Sequence, residues 1–88
     1  MDLNLKPGLP PGYRMQWEEA QDCHVLLYPE GMVQLNDTAS VILQKCDGQT
    51  SVMDVIRALE QEYGEDDLSA DVQDFMQEAL ERGWVRFG

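Results

Sequence analysis

The sequence predicts a small α+β domain: a three-stranded antiparallel sheet followed by three helices. Two observations carry this. Apolar side chains alternate with a period of two at Tyr13–Trp17 and run together in a β-prone stretch at Cys23–Tyr28, then recur every three or four residues from Asn36 onward. Turn-forming residues stand at each junction between these stretches.

Residues 1–12 contain Pro7, Pro10, Pro11, Gly8 and Gly12, which suit neither a helix nor an inner strand. They are expected to form a flexible amino-terminal arm ahead of a domain spanning 13–88. In Tyr13–Trp17 the residues Tyr13, Met15 and Trp17 fall on one face of a strand. Cys23–Tyr28 is a β-prone apolar run that stops at Pro29-Glu30-Gly31, and Met32–Leu35 resumes as a short third strand. Asn36 is a good N-cap for a first helix carrying Ala39, Ile42, Leu43 and Cys46 and ending at Asp47-Gly48. Ser51-Val52-Met53-Asp54 resembles a capping box, and Val52, Val55, Ile56, Leu59 and Tyr63 make the stripe of a second helix that stops at Gly64. Leu68, Val72, Phe75, Met76, Ala79 and Leu80 form the cleanest stripe, a third helix closed by Gly83. Trp84–Phe87 fits either a terminal strand or a tail packed on the core. Winged helix-turn-helix domains are built from similar parts, so the predicted architecture is winged helix-turn-helix-like.

Composition narrows the function. Six basic residues against seventeen acidic ones leave a net charge of -11, which repels a phosphate backbone and an anionic membrane alike. Hydrophobic residues at 43% suffice for a core, so the chain is not a solvated acidic tail. Cys23 and Cys46 lack the CxxC spacing of a redox pair or of half a zinc site, although a single disulfide between them is allowed. No signal-peptide-like run and no stretch of about 18 apolar residues occurs. The expectation is a cytoplasmic protein with reduced thiols.

No arrangement of residues calls for catalysis or a cofactor. His24 follows Cys23 on a strand, where neighbours point to opposite faces and do not meet as nucleophile and base. The acids Glu18, Glu19, Asp22, Glu65, Asp66 and Asp67 lack the spacing of a calcium loop and read as solvated turns. Asp67-Leu68-Ser69 transposes the Asp-Ser-Leu of acidic carrier proteins, so Ser69 reads as a cap for the third helix. Gly31-Met32-Val33-Gln34-Leu35 stands apart: at a sheet edge it would accept another strand, unless it packs inward or is covered by a loop or by a second copy. By periodicity alone, Phe75 and Met76 read as core.

Several separated segments together resemble the PqqD family of pyrroloquinoline quinone biosynthesis. They are Arg14–Gln21, Leu26–Asn36, Ile42-Leu43, Cys46-Asp47-Gly48, Val52–Leu59, Asp71-Val72 with Phe75, and Gly83-Trp84. The resemblance covers nearly everything after the arm. It implies a non-enzymatic peptide chaperone that binds the precursor peptide PqqA and presents it to PqqE, a radical S-adenosylmethionine enzyme that crosslinks a Glu and a Tyr in that peptide. Related recognition elements take the peptide as an extra strand on the third strand of the sheet, beside the third helix. Here that implies Gly31, Met32, Val33, Gln34 and Leu35, with Leu68, Val72, Phe75, Met76 and Ala79 as groove wall. An edge of this kind also leaves room for a homodimer. An acidic carrier and a winged-helix regulatory domain are the competing classes.

Overall fold

The computed structural model describes residues 1–87; Gly88, the last residue of the expected domain, lies outside them. Its elements run β1 (Pro7–Gly8), β2 (Arg14–Glu18), β3 (Cys23–Tyr28), β4 (Gly31–Gln34), α1 (Asp37–Gln44), α2 (Val52–Tyr63), α3 (Ser69–Glu81) and β5 (Arg86–Phe87). The predicted α+β arrangement is present. β2, β3 and β4 form an antiparallel meander in that order, and all three helices follow it.

Register explains which face of the sheet is covered. Leu26 pairs with Met15 on β2 and with Val33 on β4, and these three pack into the core with Leu26 fully buried. Because side chains alternate, Arg14, Gln16, Met32 and Gln34 take the other face. From the helices, Ile42, Leu43, Val55, Ile56, Leu59, Val72 and Met76 complete the core. Tyr13 stacks on Tyr28 with ring centroids 5.5 Å apart.

Two of the three helices begin as expected. Asn36 Oδ1 accepts the Ala39 N–H at 2.7 Å, and Ser51 Oγ accepts that of Asp54 at 3.1 Å. α2 ends at Gly64 in a left-handed conformation (φ 64°), which costs a residue without a Cβ little. At α3 the expectation fails: Ser69 is not the cap. It is already inside the first turn, and its Oγ accepts from Gln73 Nε2 at 2.8 Å. A cap needs extended backbone at the residue before the helix, whereas Leu68 there is helical (φ -86°, ψ 0°). The Leu68 N–H is satisfied instead by Glu60 Oε2 of α2 at 3.0 Å, so a side chain of one helix anchors the start of the next.

The amino-terminal arm makes backbone contacts with the body. Proline removes donors but keeps carbonyls, and the arm acts through its carbonyls. Leu5 and Leu3 accept the N–H groups of Val52 and Met53, two of the orphan donors at the start of α2. Pro7 accepts from Gly48 at 2.9 Å, and Pro7–Gly8 pairs antiparallel with Arg86–Phe87, which settles the chain end as a strand. Gly8 fits because a Cβ there would lie 3.1 Å from the Gly48 backbone.

The turn after α1 holds both chemically notable side chains outside the sheet. The amide of Gln49 and the hydroxyl and amide of Thr50 donate to the exposed Asp47 carboxylate and hold its pKa below the usual range. Cys46 is buried with its Sγ 3.4 Å from the Ile42 carbonyl, and burial, reinforced by the Asp47 charge, pushes the thiol up to about 12. Both thiols are free.

Two outcomes follow from this packing. Met76 is 0% exposed, so Met76→Ala should lower unfolding free energy by about 2–5 kcal/mol, whereas Ser69→Ala should change it by less than about 0.5 kcal/mol in urea titration. The folded chain keeps the Cys46 thiol protonated where an unfolded chain ionises it, so this contribution to stability is present below pH 9 and is lost as pH rises toward about 12. At pH 8 an alkylating reagent should label Cys23 alone in the native protein and both thiols in denaturant; equal native labelling would contradict the burial.

Candidate functional site

β4 ends the sheet on one side, and its hydrogen-bonding alternation can be read from one bond. The Leu35 N–H donates to the His24 carbonyl at 2.9 Å. In an antiparallel ladder the direction alternates residue by residue, so the backbone groups of Val33 also face β3, while those of Met32 and Gln34 face away from the sheet. Two residues therefore offer donors and acceptors on the outer side of β4.

β2 is the other edge, and the two differ in chemistry. β2 carries Arg14 and Glu18, the kind of charged residue that discourages strand addition, whereas Gly31, Met32, Val33 and Gln34 include no charge. Met32 is 49% exposed. The Gln34 amide hydrogen-bonds Gln21, which lies in the turn between β2 and β3, and so stays over the sheet face.

The β4 side leads into a hollow against α3. Gln34, Leu35, Ala39, Phe75, Glu78 and Trp84 surround an open groove of about 190 Å³. That is small for a metabolite site, which usually takes about 300 Å³ or more, and is suited to a side chain. Its far end is held by a short chain of contacts: Arg82 lies 5.3 Å from the Trp84 ring centre and donates to Glu78 Oε1 at 3.2 Å.

The candidate residues divide accordingly. Gly31, Met32 and Gln34 are exposed, Val33 is half-buried, and Leu35 is buried beneath the groove. On α3, Leu68 and Phe75 are partly exposed, whereas Val72, Met76 and Ala79 point into the core. Met76 and Ala79 thus support the wall from behind instead of lining its surface, because they lie on the inward stripe of the helix. Trp84, Glu78 and Thr38 line the groove without having been singled out, since neither periodicity nor composition distinguishes them from ordinary helix and tail residues.

His24 packs edge-on against Trp17 with centroids 5.0 Å apart, and its Nε2 lies 3.4 Å from Gln44 Nε2. Cys23, its neighbour on β3, lies on the opposite side of the strand by alternation. Among the described residues there is no group of three or more His, Cys, Asp or Glu side chains arranged to hold a metal ion, and no helix long and apolar enough to cross a membrane.

Comparison with known proteins places the chain in a family. The family model for Coenzyme PQQ synthesis protein D (PqqD) matches residues 23–85. A PqqA binding protein of Azotobacter vinelandii is 50% identical over 84 residues, covering 94% of this chain and 91% of that one. Among solved structures, the PqqD truncation of Methylobacterium extorquens PqqCD, described as a functional and stand-alone recognition element for ribosomally synthesised, post-translationally modified peptides, superposes with a TM-score of 0.76 at 30% identity, covering 91% and 87% of the two chains. PqqD from Xanthomonas campestris superposes with a TM-score of 0.59 at 32% identity, covering 90% of each. With a match across most of its length and relatives this similar, the chain belongs to the PqqD family.

Proposed function

We propose that the chain is a peptide chaperone of pyrroloquinoline quinone biosynthesis that binds the precursor peptide PqqA as an added strand on β4 and presents it to the radical enzyme PqqE. The observation that carries this reading is the uncharged outer edge of β4 lying beside the groove of Leu35, Phe75 and Trp84. The names of the relatives supply the ligand, and the edge supplies a way to hold it.

Strand addition divides the work between backbone and side chains. Met32 and Gln34 would form the ladder with the peptide, and a peptide side chain would enter the groove against Phe75 and Leu35. Leu68 and Val72 continue the wall, with Met76 and Ala79 behind it. A peptide in extended form keeps its reacting side chains accessible on the side away from α3, which is what a separate modifying enzyme needs. Catalysis then resides in PqqE, and this chain contributes binding and orientation.

Proline substitution separates the roles of alternate residues. Gln34→Pro removes an outward donor and should weaken PqqA binding by about tenfold or more with little change in stability; Val33→Pro removes an inner ladder donor and should cost about 3 kcal/mol of folding free energy. Phe75→Ala, at a half-buried position, should cost about 1–2 kcal/mol of stability and a larger share of the binding free energy. Calorimetric titration with synthetic PqqA and urea titration on the same preparations read both quantities, and unchanged affinity in folded Gln34→Pro and Phe75→Ala would place the peptide elsewhere.

The same edge would serve a homodimer, so the two uses should compete. Adding PqqA should convert any dimer to a peptide-bound monomer by mass action. Sedimentation at several peptide concentrations tests this, and a dimer that takes up peptide without dissociating would refute it.

A further inference from the structure

The groove beside β4 continues past Phe75. Along α3, Leu68, Asp71, Phe75 and Glu78 succeed one another at intervals of three or four residues, so they share one side of the helix over about 15 Å. On the opposite wall, Thr38 of α1 borders two hollows. One is the groove of Leu35, Phe75 and Trp84; the other, of about 240 Å³, lies among Val41, Leu59, Tyr63 and Leu68. The two adjoin at Thr38 as compartments of one crevice, the second walled by Leu59 and Tyr63 of α2 as well as by α1 and α3.

The second compartment has its own chemistry. Its apolar lining includes Tyr63, which is 55% exposed despite belonging to the apolar stripe of α2. Glu65 and Asp71 stand at its rim. Neither is in an ion pair among the described residues, where the acids so engaged are Glu62 and Glu78. An apolar hollow edged by unpaired carboxylates, in a chain of net charge -11, suits an apolar side chain with a cation beside it.

We propose that this compartment seats a second anchor of the same bound peptide: an apolar side chain flanked by a Lys or Arg that pairs with Glu65 and Asp71. The proposal rests on the strand-addition reading above. A peptide leaving β4 beyond Gln34 would meet Thr38, the residue that lines both compartments. Ladder bonds to Met32 and Gln34 read main chain only. The second anchor adds selection by sequence, which two backbone positions cannot provide.

The test is a charge-reversal cycle on the intact protein. Glu65→Lys/Asp71→Lys and a control with the same change in net charge, Asp2→Lys/Glu19→Lys, are titrated with synthetic PqqA and with a copy whose Lys and Arg are replaced by Gln. The rim variant should bind PqqA about tenfold more weakly and the control less than about twofold, while both should bind the Gln peptide alike. Tyr63→Ala, exposed enough to spare the fold, should weaken PqqA binding by a similar factor. If the rim variant and Tyr63→Ala bind like the control while Gln34→Pro still loses affinity, the second anchor is refuted and the edge reading stands. If Gln34→Pro also binds normally, the edge reading falls and takes this inference with it. A rim variant that keeps PqqA affinity but binds purified PqqE more weakly would assign the compartment to the enzyme and overturn the proposal.

Discussion

Between Leu35 and Asn36 the chain passes from sheet to helix with no spare residue. The Leu35 N–H closes the ladder on His24, and the next side chain, Asn36, caps α1. Everything about the site depends on this junction. Because the chain leaves the sheet there, no sequential strand follows to cover β4, and α1 is forced to start at the end of that strand. α3 then packs opposite α1, and the space between them opens onto the edge that α1 left uncovered.

A core this small needs its ends secured. The arm packs Leu3 and Leu9 against the core with Pro7 fully buried, its carbonyls at Leu3, Leu5 and Pro7 accept from Met53, Val52 and Gly48, and its short strand closes on Arg86–Phe87. The carboxy-terminal strand therefore meets the arm at Pro7–Gly8, beside the Asp47-Gly48 turn that leads toward α2. This division leaves one edge of the sheet open for binding while the backbone donors that would otherwise be orphaned at α2 are satisfied.

The acidic surface complements that arrangement. Two of its six cations are engaged locally among the described residues, Lys45 with Glu62 at 3.2 Å and Arg82 with Glu78 and the Trp84 ring. With seventeen acidic residues against six basic ones, the net field repels polyanions. Such pairs on a surface add little to stability, so their consequence lies in partner choice and approach rate.

The amino-acid sequence by itself determined the order and approximate limits of the three strands of the main sheet and of the three helices, but not the small β1–β5 pair. Its alternation at Tyr13–Trp17, its turn at Pro29-Glu30-Gly31 and the stripes from Val52 and Leu68 are local patterns, and local geometry turns them into elements directly. The same patterns could not separate Phe75 from its neighbour Met76, since both belong to one apolar stripe and only packing turns one toward the groove and the other into the core. Tertiary structure also decided the place of the arm, whose prolines announce what it cannot donate and are silent about where its carbonyls find donors. It decided the start of α3, where Glu60 of another helix took the part expected of Ser69. In each case the deciding partner lies outside the local sequence pattern, so contacts that join separate elements had to be formed before the residue's part was defined.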